Sequence, residues 1–528
     1  MPMIGLAKAP CDEGVIRAAA ATSDCAERSK PWVLAATILG SSLAFIDGSV
    51  VNVALPAIQS SLGASIQEVQ WIVNAYLFVL SALILIGGAA GDHFGRRRIF
   101  IWGIAAFTTA SVICGIAPSA IVLIVARAAQ GLGAAFLVPS SLAIISAAFP
   151  GAERGTAIGT WAGFSALTTA LGPVLGGWLV DTASWRAIFF INVPFALITL
   201  GVTFWHVPES RDAKSGAAVD VKGALLAAAG LGALTYGLTE TSDLGWAHPA
   251  VLVSVLAGAL LLGAFLHYEA RARAPMMPLR LFRSRSFSGA NAITLLLYAA
   301  LSGALFFLPY NLIRYQGYSV AQAGAAFLPF TLVMGGLSRW SGELVERFGA
   351  RKPLIVGPII VAAGFALLAV PGVGGSYWVS FFPALVVLGL GMAASVAPLT
   401  TTVMSAVEDR YAGAASGINN AFARVASLIA VALFGAIALT VFDIDLSSRL
   451  GDLLPPVELK RLFAAGMPKL GDATVPVDIG TDTARALAQA QQASFVLSFR
   501  VVMLTAAGLA LAAAQCAWLT IDRHPGAK

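Results

Sequence analysis

Fourteen long apolar runs, separated by short polar ones, constrain this chain more than any other feature. A segment crossing hydrocarbon must satisfy its backbone N–H and C=O groups internally, which for single runs of this kind means an α-helix. One crossing takes about 20 apolar residues. The runs lie at roughly 32–56, 71–90, 98–117, 121–147, 156–180, 187–207, 219–240, 249–269, 289–312, 322–345, 353–372, 377–404, 413–442 and 495–521. Only 11% of the residues are charged, against about 25% in soluble domains. The expected fold class is an all-α polytopic membrane protein.

The chain also repeats itself. Gly88-Ala-Ala-Gly-Asp92-His-Phe-Gly95-Arg96-Arg97-Arg98 returns, about half the chain later, as Gly342-Glu-Leu-Val-Glu346-Arg-Phe-Gly349-Ala-Arg351-Lys352. Each copy joins two apolar runs. Gly131-Leu-Gly-Ala-Ala-Phe-Leu-Val-Pro139 is echoed by Gly389-Leu-Gly-Met-Ala-Ala-Ser-Val-Ala-Pro398, and both lead into a turn of mixed charge. Two six-helix halves are expected, at 32–207 and 289–521, joined by a linker at 208–288 that carries two extra helices. Short polar tails, 1–31 and 522–528, complete the organisation. Duplication of this kind puts a transport site near the bilayer midplane, between the repeats.

The net charge of +6 does not point to nucleic acid, because its distribution follows membrane topology. Arg96–Arg98, Arg154, Arg271, Arg280, Arg283, Arg347, Arg351 and Arg410 fall in alternate loops. The intervening short loops hold almost none, Arg186 and Arg314 excepted. Both termini are therefore expected in the cytoplasm, with the long segment 443–494 facing outward. Residues 1–31 show no short apolar core with a cleavage site, so the first span is read as an uncleaved anchor. The four cysteines form no CxxC, and the five histidines sit at span ends or in loops, so no metal site is expected. No phosphate-binding loop is present, which argues against ATP as a direct energy source and leaves an ion gradient. No cofactor is expected.

Asp47 is the deepest carboxylate in any span. A charge at a helix centre costs about 2.5–3.5 kcal/mol on insertion scales, so it should face a cavity or a partner. Burial favours the protonated form of a carboxylate, and a proton carrier must gain and lose its proton. The competing reading is a structural aspartate satisfied by nearby backbone. Arg127 is its expected counterpart: counted from the outer span ends, the two lie about 10 and 13 Å deep at 1.5 Å per residue. Snorkelling of Arg127 to the interface is the alternative. The second half has Leu385 at the equivalent position. Asn52, Asn74, Tyr76, Gln130, Tyr298, Tyr310 and Asn311 are candidates for cavity polarity, although most polar residues in spans join helix to helix.

These residues resemble the major facilitator superfamily, and within it the fourteen-span drug:proton antiporter branch. The resemblance rests on the Gly88–Arg98 loop, on Arg127-Ala-Ala-Gln130-Gly131-Leu-Gly133 and on Leu171-Gly172-Pro173-Val-Leu-Gly176-Gly177. It rests also on Asp47-Gly-Ser-Val-Val-Asn52-Val-Ala-Leu-Pro56 and on Trp185-Arg186-Ala-Ile-Phe189-Phe190-Ile-Asn192-Val-Pro194. It implies a proton-coupled exporter of small amphipathic compounds in a bacterial inner membrane, with Asp47 carrying proton or substrate. It implies a gating latch formed by Gly88, Asp92, Gly95, Arg96 and Arg97 and by Gly342, Glu346, Gly349 and Arg351. The string Gly172, Pro173, Gly176, Gly177 is associated in that family with antiport. The expected partners are protons, a small-molecule substrate and lipid; a periplasmic accessory protein is neither required nor excluded. An importer or symporter of a metabolite is the nearest alternative, and a membrane enzyme or receptor leaves the duplication unexplained.

Overall fold

The computed structural model describes residues 24–149, 152–211, 220–272, 275, 277–407, 412–453 and 481–522. Among these residues every regular element is a helix. The first half comprises α1 (Asp24–Leu62), α2 (Ile66–Phe94), α3 (Arg96–Gly115), α4 (Ala120–Ala148), α5 (Ala152–Thr182), α6 (Ala187–Phe190) and α7 (Asn192–His206). Two further helices, α8 (Val221–Leu244) and α9 (Pro249–Glu269), fill the linker. The second half comprises α10 (Arg285–Tyr310), α11 (Val320–Ala325), α12 (Leu328–Phe348), α13 (Arg351–Leu368), α14 (Tyr377–Ser380), α15 (Phe382–Ser405), α16 (Ala412–Leu453) and α17 (Thr481–Thr520). Twelve helices among the described residues are long and apolar enough to cross a membrane. Helices α5 and α8, of 31 and 24 residues, occupy the fifth and seventh predicted spans.

Three predicted spans are broken rods: α6 with α7, α11 with α12, and α14 with α15. In each, a proline sits in the first turn of the second piece: Pro194, Pro329 and Pro383. Proline has no N–H to give the preceding turn, so the ladder stops and restarts there. The helices bordering 443–494 also run further than expected, with α16 reaching Leu453 and α17 starting at Thr481. A bond from Ser494 Oγ to Asp445 Oδ2 (2.7 Å) ties these extensions together, and Arg449 Nε, one turn further along α16, pairs with the same oxygen (2.6 Å). Residues 454–480 of that segment lie outside the described residues.

The duplication seen in the sequence recurs in the packing. Helix α2 opens with a capping box between Ser65 and Glu68, and α11 opens with the same device 254 residues on, between Ser319 and Gln322. Gly95 and Gly349, at the same spacing, both adopt positive φ (109° and 71°), which glycine tolerates without strain. Gly131 on α4 leaves no room for a Cβ against the backbone oxygen of Tyr76 (2.5 Å), and Gly389 on α15 none against that of Phe330 (2.7 Å). The two halves therefore repeat each other down to single helix contacts.

Taking the end that carries Gly88–Arg98 as proximal, the halves meet firmly at the distal end. On one seam α5 packs against α11: a Cβ on Gly324 would lie 2.0 Å from Pro173 O, and one on Gly177 2.5 Å from Val320 O. Asp181 Oδ2 accepts a bond from the Ala321 amide (2.8 Å) across that seam. On the other seam α2 packs against α16, with the Gln70 amide pressed on Gly435. Arg314, beyond α10, donates to Ser60 Oγ and to Pro56 O (3.4 Å) of α1. Helix α8 lies against both α2 and α16, while α9 packs on α8 and leaves Val253, Leu256 and Leu260 exposed for lipid. This is a multi-pass membrane bundle.

Candidate functional site

Helices α1, α2, α3, α4 and α7 place their polar residues on a common interior point of the first half. Asp47 is fully buried on α1, and Arg127, on α4, is almost as completely enclosed. Arg127 Nη1 donates to Asp47 Oδ2 at 2.5 Å. The other carboxylate oxygen accepts from Gln130 Nε2 (2.8 Å) and, more distantly, from Asn192 Nδ2 (3.5 Å). Arg127 is held from three further sides. It donates through Nε to Ile72 O (3.2 Å) and through Nη1 to Gln130 Oε1 (2.7 Å), and its guanidinium lies 4.3 Å from the Tyr76 ring centroid. Asn192 also donates to Ser111 Oγ (2.9 Å), whose own hydroxyl donates to Phe189 O (2.8 Å).

Both carboxylate oxygens of Asp47 thus have fixed partners, which is the condition for keeping charge in an apolar interior. The i, i+3 spacing of Arg127 and Gln130 puts both side chains on one face of α4, so one helix grips both oxygens of the carboxylate. Tyr76 and Gln130 join this cluster from the sequence candidates. Asn192 and Ser111 were not among them. Asn192 stands in the quoted string before Pro194, and its intramembrane polarity was the available signal.

The remaining candidates go elsewhere. Asn74, expected in a cavity, is turned toward α8, where Nδ2 lies 3.5 Å from Thr239 Oγ1. The linker helix covers that face of α2, which the run pattern could not show. Asn52 is partly buried and donates back to Gly48 O at 3.3 Å, within its own helix. Tyr310 is buried against Phe306, and Asn311 accepts from Gln316 Nε2 (3.2 Å). Tyr298 is partly buried on α10.

Among the described bonds, arginines of both repeated loops reach neighbours in their own half or, at Glu209, in the linker. Arg97 donates through its backbone to Glu209 Oε1 (3.1 Å) and through Nη2 to Phe204 O (2.6 Å), and Arg96 Nη1 donates to Ala143 O (3.3 Å). Arg351 Nη2 donates to Trp518 O (2.6 Å). The side chains of Asp92 and Glu346, and Gly342, lie outside the described set. Gly88 is partly buried beside Pro139. In α5, Gly172 and Gly176 let α1 approach: a Cβ there would meet Ser49 Oγ at 1.9 Å and Val50 Cγ2 at 2.4 Å. Pro173 and Gly177 form the seam to α11 on the opposite face. The string is a two-sided joint.

Losing Arg127 should matter more than losing an arginine that merely reaches a helix end. Arg500 donates only to Val370 O (3.3 Å) among its described bonds. Arg127→Ala is expected to move the pH profile of transport by about one unit or more, and Arg500→Ala to leave it in place. Equal shifts in reconstituted vesicles would argue against a working Asp47–Arg127 pair.

A family model described as Major Facilitator Superfamily matches residues 37–431. The multidrug resistance protein Stp of Mycobacterium tuberculosis is 36% identical over 443 residues, spanning 83% of this chain and 81% of the relative. The tetracenomycin C resistance and export protein of Streptomyces glaucescens is 32% identical over 518 residues, spanning 94% and 93%. The puromycin resistance protein pur8 of Streptomyces alboniger is 36% identical over 413 residues, spanning 77% and 81%. Among solved structures, a bacterial homolog of the human lysosomal transporter Spinster, inward-facing and unoccupied, shares the fold. Its TM-score is 0.60 at 19% identity, covering 92% of this chain and 97% of that one. A D-xylose–proton symporter aligns with a TM-score of 0.59 at 13% identity, covering 93% and 98%. With the family model spanning most of the chain and both halves built on one plan, the protein belongs to the Major Facilitator Superfamily.

Proposed function

We propose that this transporter is a proton-coupled exporter of small hydrophobic or amphipathic compounds, working by alternating access in a bacterial inner membrane with both termini in the cytoplasm. The observation that carries the reading is the enclosed Asp47–Arg127 pair, in a chain whose relatives are named as drug resistance and export proteins. In the enclosed state Asp47 is locked by Arg127, Gln130 and Asn192. A proton arriving at Asp47 cancels the attraction to Arg127 and frees the α1–α4 contact to rearrange. Release of that proton on the other side restores the lock. Arg127 stays charged throughout, because a guanidinium does not deprotonate in proteins. Its part is to set the strength of the lock.

The driving force is adequate. One charge moving through 100 mV gains about 2.3 kcal/mol, before any pH gradient is counted. A resistance panel in an efflux-deficient host, with and without a protonophore, tests the reading. Raised resistance that the protonophore removes supports it. Greater drug accumulation in cells carrying the gene would point to import instead.

A further inference from the structure

The second half carries a third deep charge, Arg424, that the Asp47 cluster does not use. Arg424 lies on α16, twelve residues from its start at Ala412 and therefore about 18 Å along the helix at 1.5 Å per residue. It is partly buried, and no described carboxylate or hydrogen-bond acceptor meets its guanidinium. Aromatic side chains face it from across the seam. Its Cζ is 6.0 Å from the Phe45 ring centroid on α1, near the limit for a cation–π contact. Phe45 in turn meets Trp161 of α5 edge-on at 5.9 Å. Arg424 is also an electrostatic neighbour of Tyr76, on α2, and of Tyr298, on α10. Arg424 therefore comes from the second half and faces Phe45 of the first, which projects from the side of α1 opposite Asp47.

Charge balance then decides what the space beside Arg424 can hold. Asp47 is neutralised by Arg127 at 2.5 Å, and no other carboxylate reaches this depth in the described spans. The net local charge is one positive, that of Arg424. A guanidinium offers five N–H donors in a planar fork and binds oxyanions bidentately. The Phe45 ring beside it, backed edge-on by Trp161, supplies stacking surface for a flat apolar body. A lipophilic cation would meet repulsion here and no counter-charge.

We infer that Arg424 is a substrate-binding residue, and that the protein selects aromatic compounds bearing an acidic group, a carboxylate or phenolate, over aromatic cations. This deepens the export reading and rests on it only for the direction of transport. Binding itself can be tested apart. Fluorescein, an anionic xanthene dye, and pyronin Y, a cationic one, share a ring system and differ in charge. Titration of each with the purified full-length transporter, followed by fluorescence anisotropy, should show tighter binding of fluorescein. Arg424→Ala should weaken fluorescein binding by about tenfold or more, the loss expected for a charge-assisted hydrogen bond. Arg424→Lys should retain part of it. Equal affinity of the wild-type protein for the two dyes, or fluorescein binding unchanged in Arg424→Ala, overturns the inference. The wild-type comparison stands even where a variant fails to purify. In proteoliposomes with an imposed pH gradient, fluorescein that binds through Arg424 but is not moved counts against the export reading and leaves the anion site intact.

Discussion

Replacing Asp47 with asparagine is expected to abolish proton-driven export while the protein still reaches the membrane. Asparagine has nearly the shape of aspartate, and its oxygen can still accept from Arg127 or Gln130. What it lacks is the charge that holds Arg127 and the ability to take a proton. Leaving a buried arginine without its counter-ion costs about 3–5 kcal/mol where nothing relaxes, and the retained amide oxygen places the loss toward the lower figure. Reduced expression but a folded protein is the expected state. The double variant Asp47→Asn with Arg127→Gln removes both charges and should recover stability without recovering coupling. Everted vesicles read the difference. A pH gradient should no longer drive substrate uptake, while exchange of labelled for unlabelled substrate continues. Normal gradient-driven uptake by Asp47→Asn would sink the coupling role.

Gly324→Val is expected to arrest the transport cycle by a different route. The missing side chain of Gly324 is what lets α11 touch α5, since a Cβ there would lie 2.0 Å from Pro173 O and 2.8 Å from its carbonyl carbon. Those atoms belong to backbone, so neither can swing aside. Overpacking in well-filled cores usually costs about 1–3 kcal/mol. Here the halves can escape the clash by separating at the distal seam, and the strain should appear as a shift in conformation. Spin labels at Ser60 and Arg314, which touch across the closed end, should move apart in Gly324→Val, with transport lost. Gly435→Ala on the other seam makes a useful contrast. Its nearest neighbour is the amide end of Gln70, a flexible side chain with both polar atoms otherwise unpaired. That amide can turn away, so a milder loss is expected. An unchanged label distance together with full transport in Gly324→Val would show that the α5–α11 joint does not limit closure.

The crossings were legible because a bilayer imposes its rule one run at a time. Each apolar stretch must be long enough by itself, whatever its neighbours do. Proline breaks within runs were legible in principle, since Pro194, Pro329 and Pro383 act on their own helix. The duplication was legible because both copies kept the turn glycines Gly95 and Gly349, whose backbone conformation excludes most other residues. Rotation about each helix axis is different. It is set by which helix lies alongside, and the sequence carries that only weakly in so apolar a chain. Asn74 shows the consequence: its polarity suggested a cavity, and the linker helix α8 claimed it.

Sequence alone determined that this protein is a duplicated bundle of membrane helices with one carboxylate, Asp47, deep inside a span. It also supplied Arg127 as a partner at matching depth, because depth along a helix follows from counting residues. Only the tertiary structure decided that Gln130, Asn192 and Ser111 complete the enclosure, and that Arg424 faces Phe45 from the other half. Those contacts join residues 80 or more apart in the chain, such as Asp47 with Arg127 and with Asn192. They depend on helices packing side by side through close-approach glycines. Length and charge are properties of a single run, whereas a site between runs exists only once the runs are packed.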